Sequence, residues 1–195
     1  MSKRLRIHVI RLERQLTALV SSARQEILDS LMSMGPASIA EIAATLGRAP
    51  DGLYYHVRAL TRAGLVLTAG SRIRSKRRET LYRAAARQMN VEYRPGDGGN
   101  VRAVNAIVGA MLRLGSRDFK RALASDKVVV SGPMRDIWAL RTMGRLSKHQ
   151  LMSVNSTMNG LLSTLSSRES KGRLYAVTVL LTPLDRQPRL RVRRR

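Results

Sequence analysis

Side chains that suit contact with nucleic acid lie together on one predicted helix. Leu53, Val57 and Leu60 recur at helical spacing and predict a stripe that faces a protein core. The opposite face of this helix carries hydroxyl donors, flat rings and guanidinium groups. Arg donates paired hydrogen bonds to a guanine edge or to phosphate, and Tyr donates to phosphate or lies against sugar and a thymine methyl. The candidate groove-contacting residues are Asp51, Gly52, Tyr54, Tyr55, Arg58 and Arg62.

A shorter helix is predicted just ahead of this one and would position it. Ser38 and Glu41 have the spacing of a capping box, and apolar residues then recur every three or four positions until Gly47. The turn from Gly47 to Pro50 has the length that joins the two helices of a helix-turn-helix, and Pro50 suits the start of the second. Taken alone, the second helix is equally an amphipathic surface helix with a solvated polar face. Its neighbours favour the groove-contacting interpretation.

A basic hairpin is predicted after the second helix. An extended run begins after Gly64, and residues 79–82 indicate a returning strand. Residues 72–78 at the tip carry five positive charges, whose mutual repulsion stabilises nothing unless a polyanion lies nearby. In the free protein we expect this tip to be a solvated, mobile loop. On DNA it would reach phosphates or the minor groove, with Arg72, Arg74, Lys76 and Arg77 as the candidate contacts.

Several stretches of the chain together carry a family pattern. They are residues 23–28 (ARQEIL), 35–43 (GPASIAEIA), 46–47 (LG), 54–57 (YYHV), Leu60 and 63–66 (AGLV). Over residues 20–86 the chain resembles the ArsR-like family of bacterial winged helix-turn-helix regulators. The resemblance implies a homodimeric transcription factor, usually a repressor, whose second motif helix enters the major groove while the wing touches the flanking backbone. It also implies a long dimerisation helix on one or both sides of this core.

The chain departs from the metal-sensing members of that family. It contains no cysteine, and none of His8, His56 and His149 has a second ligand at metal-site spacing. We therefore predict a regulator of the type that does not sense metals and that needs no cofactor. His56 matches the family's recurrent histidine on the recognition helix, for which we expect packing or a phosphate contact and not a ligand role.

The charge balance supports a nucleic-acid partner. The chain has 36 basic and 13 acidic residues, a formal net charge of +23, and the excess is present on both sides of residue 90. Richness in Arg and Ala can reflect coding bias, but such bias does not require the loss of acidic residues. A field of this sign favours fast, salt-sensitive and partly nonspecific binding to nucleic acid.

Catalytic and membrane signals are lacking in the sequence. It shows no nucleophile elbow, phosphate-binding glycine loop, metal-ligand cluster or paired carboxylates, so we predict that the protein is not an enzyme. No apolar stretch approaches the roughly 18 residues of a membrane span. The basic N-terminus is not followed by an apolar signal core. We therefore expect a cytoplasmic protein with no membrane partner.

The N-terminal residues show a helical stripe. Apolar residues from Leu5 to Ala23 alternate at four- and three-residue intervals, and Ser22 with Gln25 has capping-box spacing. The pattern predicts one helix or two in tandem. Packing on the motif and contact between two copies are equally compatible with it.

The second half begins at a turn-rich break and is predicted to be mainly helical. Residues 94–100 are turn formers and mark a linker, after which an amphipathic helix is predicted from Val101 to Leu123. Two apolar series at heptad spacing then predict a long helix of about four heptads, which serves either dimerisation or packing within the chain. Gly144 and Ser147 would allow a close helix approach or leave a cavity. The candidate dimerisation residues are Ile137, Leu140, Leu151, Val154, Met158, Leu161 and Leu165.

The chain end is predicted to contain a strand and a basic tail. Residues 173–181 are rich in β-branched residues and stop at Pro183, so they indicate a strand, whose partner would be the wing, residues 128–130 or a second copy. Residues 186–195 indicate a disordered basic arm. The predicted organisation is a DNA-binding domain (1–93), a linker (94–100), a helical dimerisation or effector-binding region (101–185) and the tail (186–195).

These patterns predict a mainly α fold with a small β-wing (α+β), formed by a winged helix-turn-helix domain and a long-helix C-terminal region that ends in a β-strand. The expected function is a homodimeric regulator of transcription on a palindromic site in double-stranded DNA, most simply a repressor. The alternative is a basic architectural or RNA-binding protein that attaches nonspecifically. A small-molecule effector is compatible with the Met- and Leu-rich second half, although such residues more often form core.

Overall fold

The computed structural model describes residues 7–74, 76–166 and 172–184, and in these ranges the fold is the predicted α+β type. Six helices and four strands follow one another along this part of the chain. They are β1 (Ile7–Ile10), α1 (Glu13–Leu19), α2 (Ser22–Met34), α3 (Ile39–Leu46), α4 (Asp51–Arg62), β2 (Val66–Arg74), β3 (Arg77–Ala84), β4 (Gln88–Val91), α5 (Gly98–Leu123) and α6 (Lys148–Ser166).

The two motif helices begin and end where the sequence predicts. The Ser38 amide donates to Glu41 Oε2 at 2.9 Å, and the Glu41 amide donates to Ser38 Oγ at 3.4 Å, which completes the capping box of α3. Gly47 ends α3 with φ of 61°, a conformation that favours glycine. Helix α4 begins directly after Pro50. The helix-turn-helix is therefore encoded by local capping signals.

The buried core of the helix-turn-helix unit fixes the orientation of α4. Leu53, Val57 and Leu60 are at most 2% exposed, which confirms the predicted inner stripe. They belong to one cluster with buried residues of α2 and α3, including Ile27 and Ile42. Because the inner stripe is locked in place, the polar face of α4 points to solvent.

The wing is a twisted antiparallel hairpin of β2 and β3, as predicted. Its register pairs Arg72 with Glu79 and Arg74 with Arg77, with an irregularity between Thr68 and Ser71. The β3 strand also bridges to Ala37 ahead of α3, because Ala37 and Tyr82 exchange backbone hydrogen bonds of 2.9 and 2.8 Å. This bridge attaches the base of the wing to the first motif helix.

The N-terminal prediction was partly wrong. Residues 7–10 form β1, which pairs in parallel with β4, so the expected helical stripe is interrupted there and, within the described residues, begins at α1; Leu5 lies outside the described residues. Ile7 to Ile10 are mostly β-branched, a composition that favours a strand. Because β4 supplies the neighbouring strand, these residues form a strand and not a helix. Two tandem helices follow, α1 and α2. The predicted Ser22–Gln25 capping box does not form, since Ser21 is the residue that precedes the first turn of α2.

Ser22 and Gln25 instead attach α2 to α5. Gln25 is buried, and its Nε2 donates to the Leu19 carbonyl at 2.6 Å and to the Ile107 carbonyl at 3.0 Å. Ser22 Oγ donates to the Ala110 carbonyl at 3.3 Å. Ile107 itself joins the core cluster. The first half of α5 is therefore packed against the helix-turn-helix unit.

Helix α5 begins within the segment that the sequence indicated as a linker. The Asp97 side chain accepts hydrogen bonds from the amides of Gly99 and Asn100, both at 3.0 Å, and so caps the helix. Asn100 is buried; it accepts from the Arg94 amide at 2.8 Å and donates to the Glu92 carbonyl at 3.0 Å. These bonds fold residues 92–100 into a fixed turn. The predicted helical end at Leu123 is confirmed.

The long C-terminal helix is shorter than predicted. Ser147 and Gln150 exchange side-chain-to-backbone hydrogen bonds of 2.9 and 3.2 Å, a capping box that the heptad interpretation overlooked, so α6 begins at Lys148. Upstream, the Asp136 amide donates to the Val129 carbonyl and the Val129 amide donates to Asp136 Oδ1, both at 2.9 Å. These two bonds close a loop. Ile137 and Leu140 therefore lie outside any helix, contrary to the four-heptad prediction. Leu151, Val154, Met158, Leu161 and Leu165 do lie on α6.

The predicted strand at residues 173–181 is also wrong for the structure of the single chain. These residues are exposed, and no β-pairing involves them within the part of the chain that the structure describes. A strand requires a neighbour to accept its hydrogen bonds, and a composition rich in β-branched residues does not by itself supply one. The predicted basic tail at 186–195 lies outside the described residues.

Candidate nucleic-acid interface

The predicted groove-contacting residues share the outer face of α4. Tyr54 is 55% exposed and Tyr55 is 70% exposed, which is unusual for aromatic side chains of this size. Tyr54, Arg58 and Arg62 are four residues apart and so form one row along the helix. All six candidates are exposed: Asp51, Gly52, Tyr54, Tyr55, Arg58 and Arg62.

The hydrogen-bond donors of this row are not used within the protein. Arg58 and Arg62 form no hydrogen bond or ion pair with any residue that the structure describes. The Tyr55 ring stands edge-on to His56, with ring centroids 5.6 Å apart. The row is therefore ready to bond to an external ligand with acceptor groups, and guanine edges and phosphates are such ligands.

The four predicted wing cations fall into two groups. Arg72 Nη2 lies 2.7 Å from Glu41 Oε1 and 3.0 Å from Glu79 Oε2, and its side chain is 37% exposed. Arg74 Nη1 lies 3.8 Å from Glu41, a distance for a weak ion pair. Lys76 and Arg77 are exposed and pair with no described residue. Arg72 is thus held by the protein, whereas Lys76 and Arg77 are available to DNA.

Glu41 performs two tasks that the sequence did not reveal together. Its Oε2 caps α3 through the Ser38 amide, and its Oε1 binds Arg72 on the wing. The Ser38 backbone hydrogen bond and then the Arg72 guanidinium hold the pKa of Glu41 below its ordinary value. One carboxylate therefore fixes both the start of α3 and the angle of the wing.

A second charged network lies beneath the turn that precedes α4. The Glu26 side chain is 13% exposed, and its oxygens bind Arg48 in the turn and Arg117 on α5, each at 2.5 Å. Arg117 also binds Asp118 at 2.8 Å. The sequence carries no signal for this network, because Glu26 and Arg117 are 91 residues apart and no local pattern relates them. The network connects the turn before α4 to α5.

His56 occupies the inner edge of α4. It is partly buried, and its Nδ1 is enclosed without a hydrogen-bond partner among the residues that the structure describes. Burial, and then the charges of Arg24 and Arg48, lower the pKa of His56. A neutral imidazole enclosed in this way favours the packing role over a phosphate contact.

The described residues offer neither a metal centre nor a membrane-spanning helix. Among the described residues, no group of three or more His, Asp or Glu side chains is placed to hold a metal ion. None of the described helices combines the length and apolar character that crossing a membrane requires.

Comparisons with known proteins relate the chain to helix-turn-helix proteins. Residues 19–69, from before α2 to the middle of β2, match the family described as "Helix-turn-helix domain". No curated protein matches the chain. Among solved structures, the chain is similar to a transcriptional regulator homologue from Pyrococcus horikoshii, with 22% identity, a TM-score of 0.29 and coverage of 55% of this chain and 99% of the other. It is also similar to ZitR of Lactococcus lactis (11% identity, TM-score 0.29, 77% and 86% covered) and to the disulfide form of AbfR (10%, 0.29, 77% and 84%).

The class of the domain follows from these observations. A capped helix-turn-helix and an outward row of donors without partners among the described residues lie in the segment that matches the family, and the antiparallel wing begins at the end of that segment and continues beyond it. They define a winged helix-turn-helix domain, the class of fold that binds DNA through its second motif helix. The chain therefore carries a DNA-binding domain, as the sequence predicted.

Proposed function

We propose that this protein is a sequence-specific regulator of transcription of the ArsR-like type, acting as a homodimer on a palindromic DNA site. The observation that carries the proposal is the exposed row Tyr54, Arg58 and Arg62, whose donors are unused within the described chain. The positive charges of such a row repel one another, which lowers the stability of the free protein, whereas a bound polyanion attracts them and stabilises the complex. Binding to a promoter would exclude polymerase, so repression is the proposed outcome.

The geometry supports a definite docking mode. Helix α4 would enter the major groove with Tyr54 and Arg58 toward the base edges, while Arg62 and Asp51 lie at its two ends. Lys76 and Arg77 at the wing tip would contact the flanking phosphates, and Arg72 would set the wing angle from its ion pairs. Two copies would place their α4 helices about 34 Å apart, one turn of DNA.

The proposed homodimer would use the C-terminal half. Leu151, Leu161 and Leu165 on α6 are 42%, 36% and 45% exposed, and no residue of α6 is buried. An apolar helix with no cover within the described chain gains stability when a second copy covers it. We retain Val154 and Met158 in this set and place Ile137 and Leu140 on the loop beside it. An effector, if one binds, would enter the same region (101–185), and a protein of this function would act in the cytoplasm.

A footprinting experiment tests the proposal. DNA recovered with the protein from genomic fragments would be protected from cleavage over one short palindrome near a promoter. Arg58→Ala should abolish this protection, because it removes a groove-facing guanidinium. Arg121→Ala is the matched control, since Arg121 is an exposed arginine of α5 without a partner in the described chain. Protection that Arg121→Ala removes as completely as Arg58→Ala would contradict the assignment of α4.

The second candidate function is nonspecific attachment as a basic architectural or RNA-binding protein. The observation that favours it is the net charge of +23, which extends over both halves of the chain. Charge of this kind binds any polyanion and weakens steeply with salt. Uniform coating of unrelated duplexes, with equal loss of affinity for Arg58→Ala and Arg121→Ala, would support this function over the first.

A further inference from the structure

Two exposed C-terminal segments are free of charged side chains. Residues 149–166, most of α6, and residues 174–184 contain no Asp, Glu, Lys or Arg, although these types make up 25% of the chain. We call residues 174–184 the C-terminal arm. A surface without charge gains little from DNA or from an acidic partner, so it requires a different kind of cover.

The C-terminal arm has the features of a strand that lacks a neighbour. Its backbone amides and carbonyls form no hydrogen bond within the described part of the chain. Such groups are nearly always paired once they are removed from water. The large side chains on both faces are exposed, at 49% for Tyr175, 49% for Val177, 44% for Val179 and 51% for Leu180. A β-branched, uncharged run of this kind favours a sheet covered on its faces.

The position of the arm is fixed by two contacts. Arg173 Nη1 binds Asp136 Oδ2 at 2.6 Å just before the arm begins. Thr178 lies against α5 at Gly115, where a Cβ would stand only 3.0 Å from Thr178 Oγ1. Because side chains alternate along an extended strand, Val177 and Val179 would point away from Thr178 and from α5 when the arm adopts that conformation. The edges of the arm remain open for pairing.

We propose that the C-terminal arm pairs, as an antiparallel β-strand, with the same arm of a second copy of this chain. The inference rests on the proposed homodimer and names one of its contacts. Two symmetric copies present the same edge to each other, and identical strands that meet in this way run antiparallel. The strand that composition predicted at residues 173–181 would then exist only in the dimer.

Charge and an open backbone edge favour a second copy as the occupant. Two chains of net charge +23 repel each other, so they would associate through surfaces that carry no charge. The C-terminal arm and residues 149–166 are such surfaces. An unpaired strand edge is also a ready template for an identical strand.

The absence of cysteine from the chain allows a direct cross-linking test. A single introduced cysteine can form a disulfide only between copies. Single variants at each position from Leu174 to Leu181 should cross-link with one maximum, at the residue that faces itself across the symmetry axis. Tyr93→Cys, an exposed position in the DNA-binding half, is the matched control. If no arm position cross-links faster than Tyr93→Cys in a sample that is dimeric by sedimentation, the arm pairing is overturned.

Amide exchange and a proline variant separate this inference from the proposed homodimer. The arm amides should exchange more slowly at protein concentrations where the dimer forms than at dilutions where it dissociates. Val179→Pro should weaken the dimer about tenfold, whereas Val179→Thr should not. A dimer whose arm amides exchange at the monomer rate overturns the arm pairing but leaves the homodimer. A chain that sediments as a monomer at every concentration overturns both, and footprinting then tests DNA binding independently.

Discussion

Arg72 Nη2 lies 2.7 Å from Glu41 Oε1, so an ion pair joins the wing to the first motif helix. The other oxygen of Glu41 accepts the Ser38 amide and caps α3. A wing cation that would otherwise be a candidate phosphate contact therefore has a structural task. The angle of the wing relative to α4 is set before DNA binds, which lowers the ordering cost of binding.

Replacement of Glu41 should separate its two tasks. Glu41→Gln keeps an oxygen for the Ser38 amide but loses the charge that holds Arg72, whereas Glu41→Ala loses both. We expect Glu41→Ala to lower the free energy of unfolding by about 1 kcal/mol through the lost cap, and Glu41→Gln to lower it less. Denaturant unfolding measures the difference. Amide exchange of β2 and β3 should speed up in both variants; unchanged exchange in both would show that Arg72 does not hold the wing.

The pH dependence of Glu41 has a definite sign. The pKa of Glu41 is lower in the folded protein than its ordinary value of 4.5. The carboxylate therefore contributes its full stabilisation above pH 4.5, and this contribution is lost as the pH falls from 4.5 through the lower pKa of the folded state. The free energy of unfolding of the wild type should therefore fall more steeply below pH 4.5 than that of Glu41→Gln. Parallel curves would mean that the Ser38 and Arg72 contacts do not persist in solution.

The wing cations should govern the salt dependence of DNA binding. If each of Arg72, Arg74, Lys76 and Arg77 met a phosphate, replacing all four by Ala would flatten the slope of log affinity against log salt by roughly three to four. Since Arg72 is held by Glu41 and Glu79, we expect most of this change already in the triple variant that keeps Arg72. The single Arg72→Ala variant should weaken binding without an equal change in slope. An unchanged slope in the fourfold variant would remove the wing from the interface.

The structure shows why the recognition unit was predictable and its supports were not. Ser38, Glu41 and Gly47 all lie in the short stretch 38–47, so local capping interactions alone locate α3 and the start of α4. The ion pair of Glu41 with Arg72 depends on how the wing folds back, and sequence spacing does not contain that information. The buried and exposed faces of α4 were therefore predicted correctly, whereas the separation of the wing cations into paired and unpaired groups was not predicted.

The predictions for the N-terminal residues and for the second half of the chain were wrong for different physical reasons. The apolar residues of segment 7–10 fit a helical stripe, but β4 provides a strand partner that no local sequence pattern indicates. In the second half, apolar heptad positions continue upstream of Ser147, but the Ser147–Gln150 capping box begins the helix there. Periodicity identifies faces; it does not locate boundaries when a cap or a distant partner competes.

Loss of the Glu26 carboxylate should destabilise the whole DNA-binding unit. Glu26 is mostly buried and binds two arginines, so Glu26→Gln leaves Arg48 without its anion and leaves Arg117 with Asp118 alone. We expect the free energy of unfolding to fall by about 2 kcal/mol, in the range for hydrogen bonds to charged groups. Asp118→Asn is the matched control, since Asp118 is more exposed and binds only Arg117. Equal effects of the two variants would show that the bridge to Arg48 contributes nothing.

His56 should make the stability of the protein sensitive to mild acid. Its pKa is lowered in the folded protein by burial and by Arg24 and Arg48, so the folded state favours the neutral imidazole. Below the ordinary value of 6.5 the unfolded chain binds the proton more readily, so the contribution of His56 to stability falls as the pH falls from 7 toward 5. Burial raises the pKa of Asp29 to about 6, so Asp29 contributes with the opposite sign over the same window and is common to all variants. In denaturant unfolding, the free energy of unfolding of His56→Gln should therefore decrease less over this window than that of the wild type, whereas His149→Gln, at an exposed position of α6, should follow the wild type. Because Glu41 acts below pH 4.5, its effect does not overlap this window. If His56→Gln loses as much stability as the wild type between pH 7 and 5, the imidazole is not enclosed in solution.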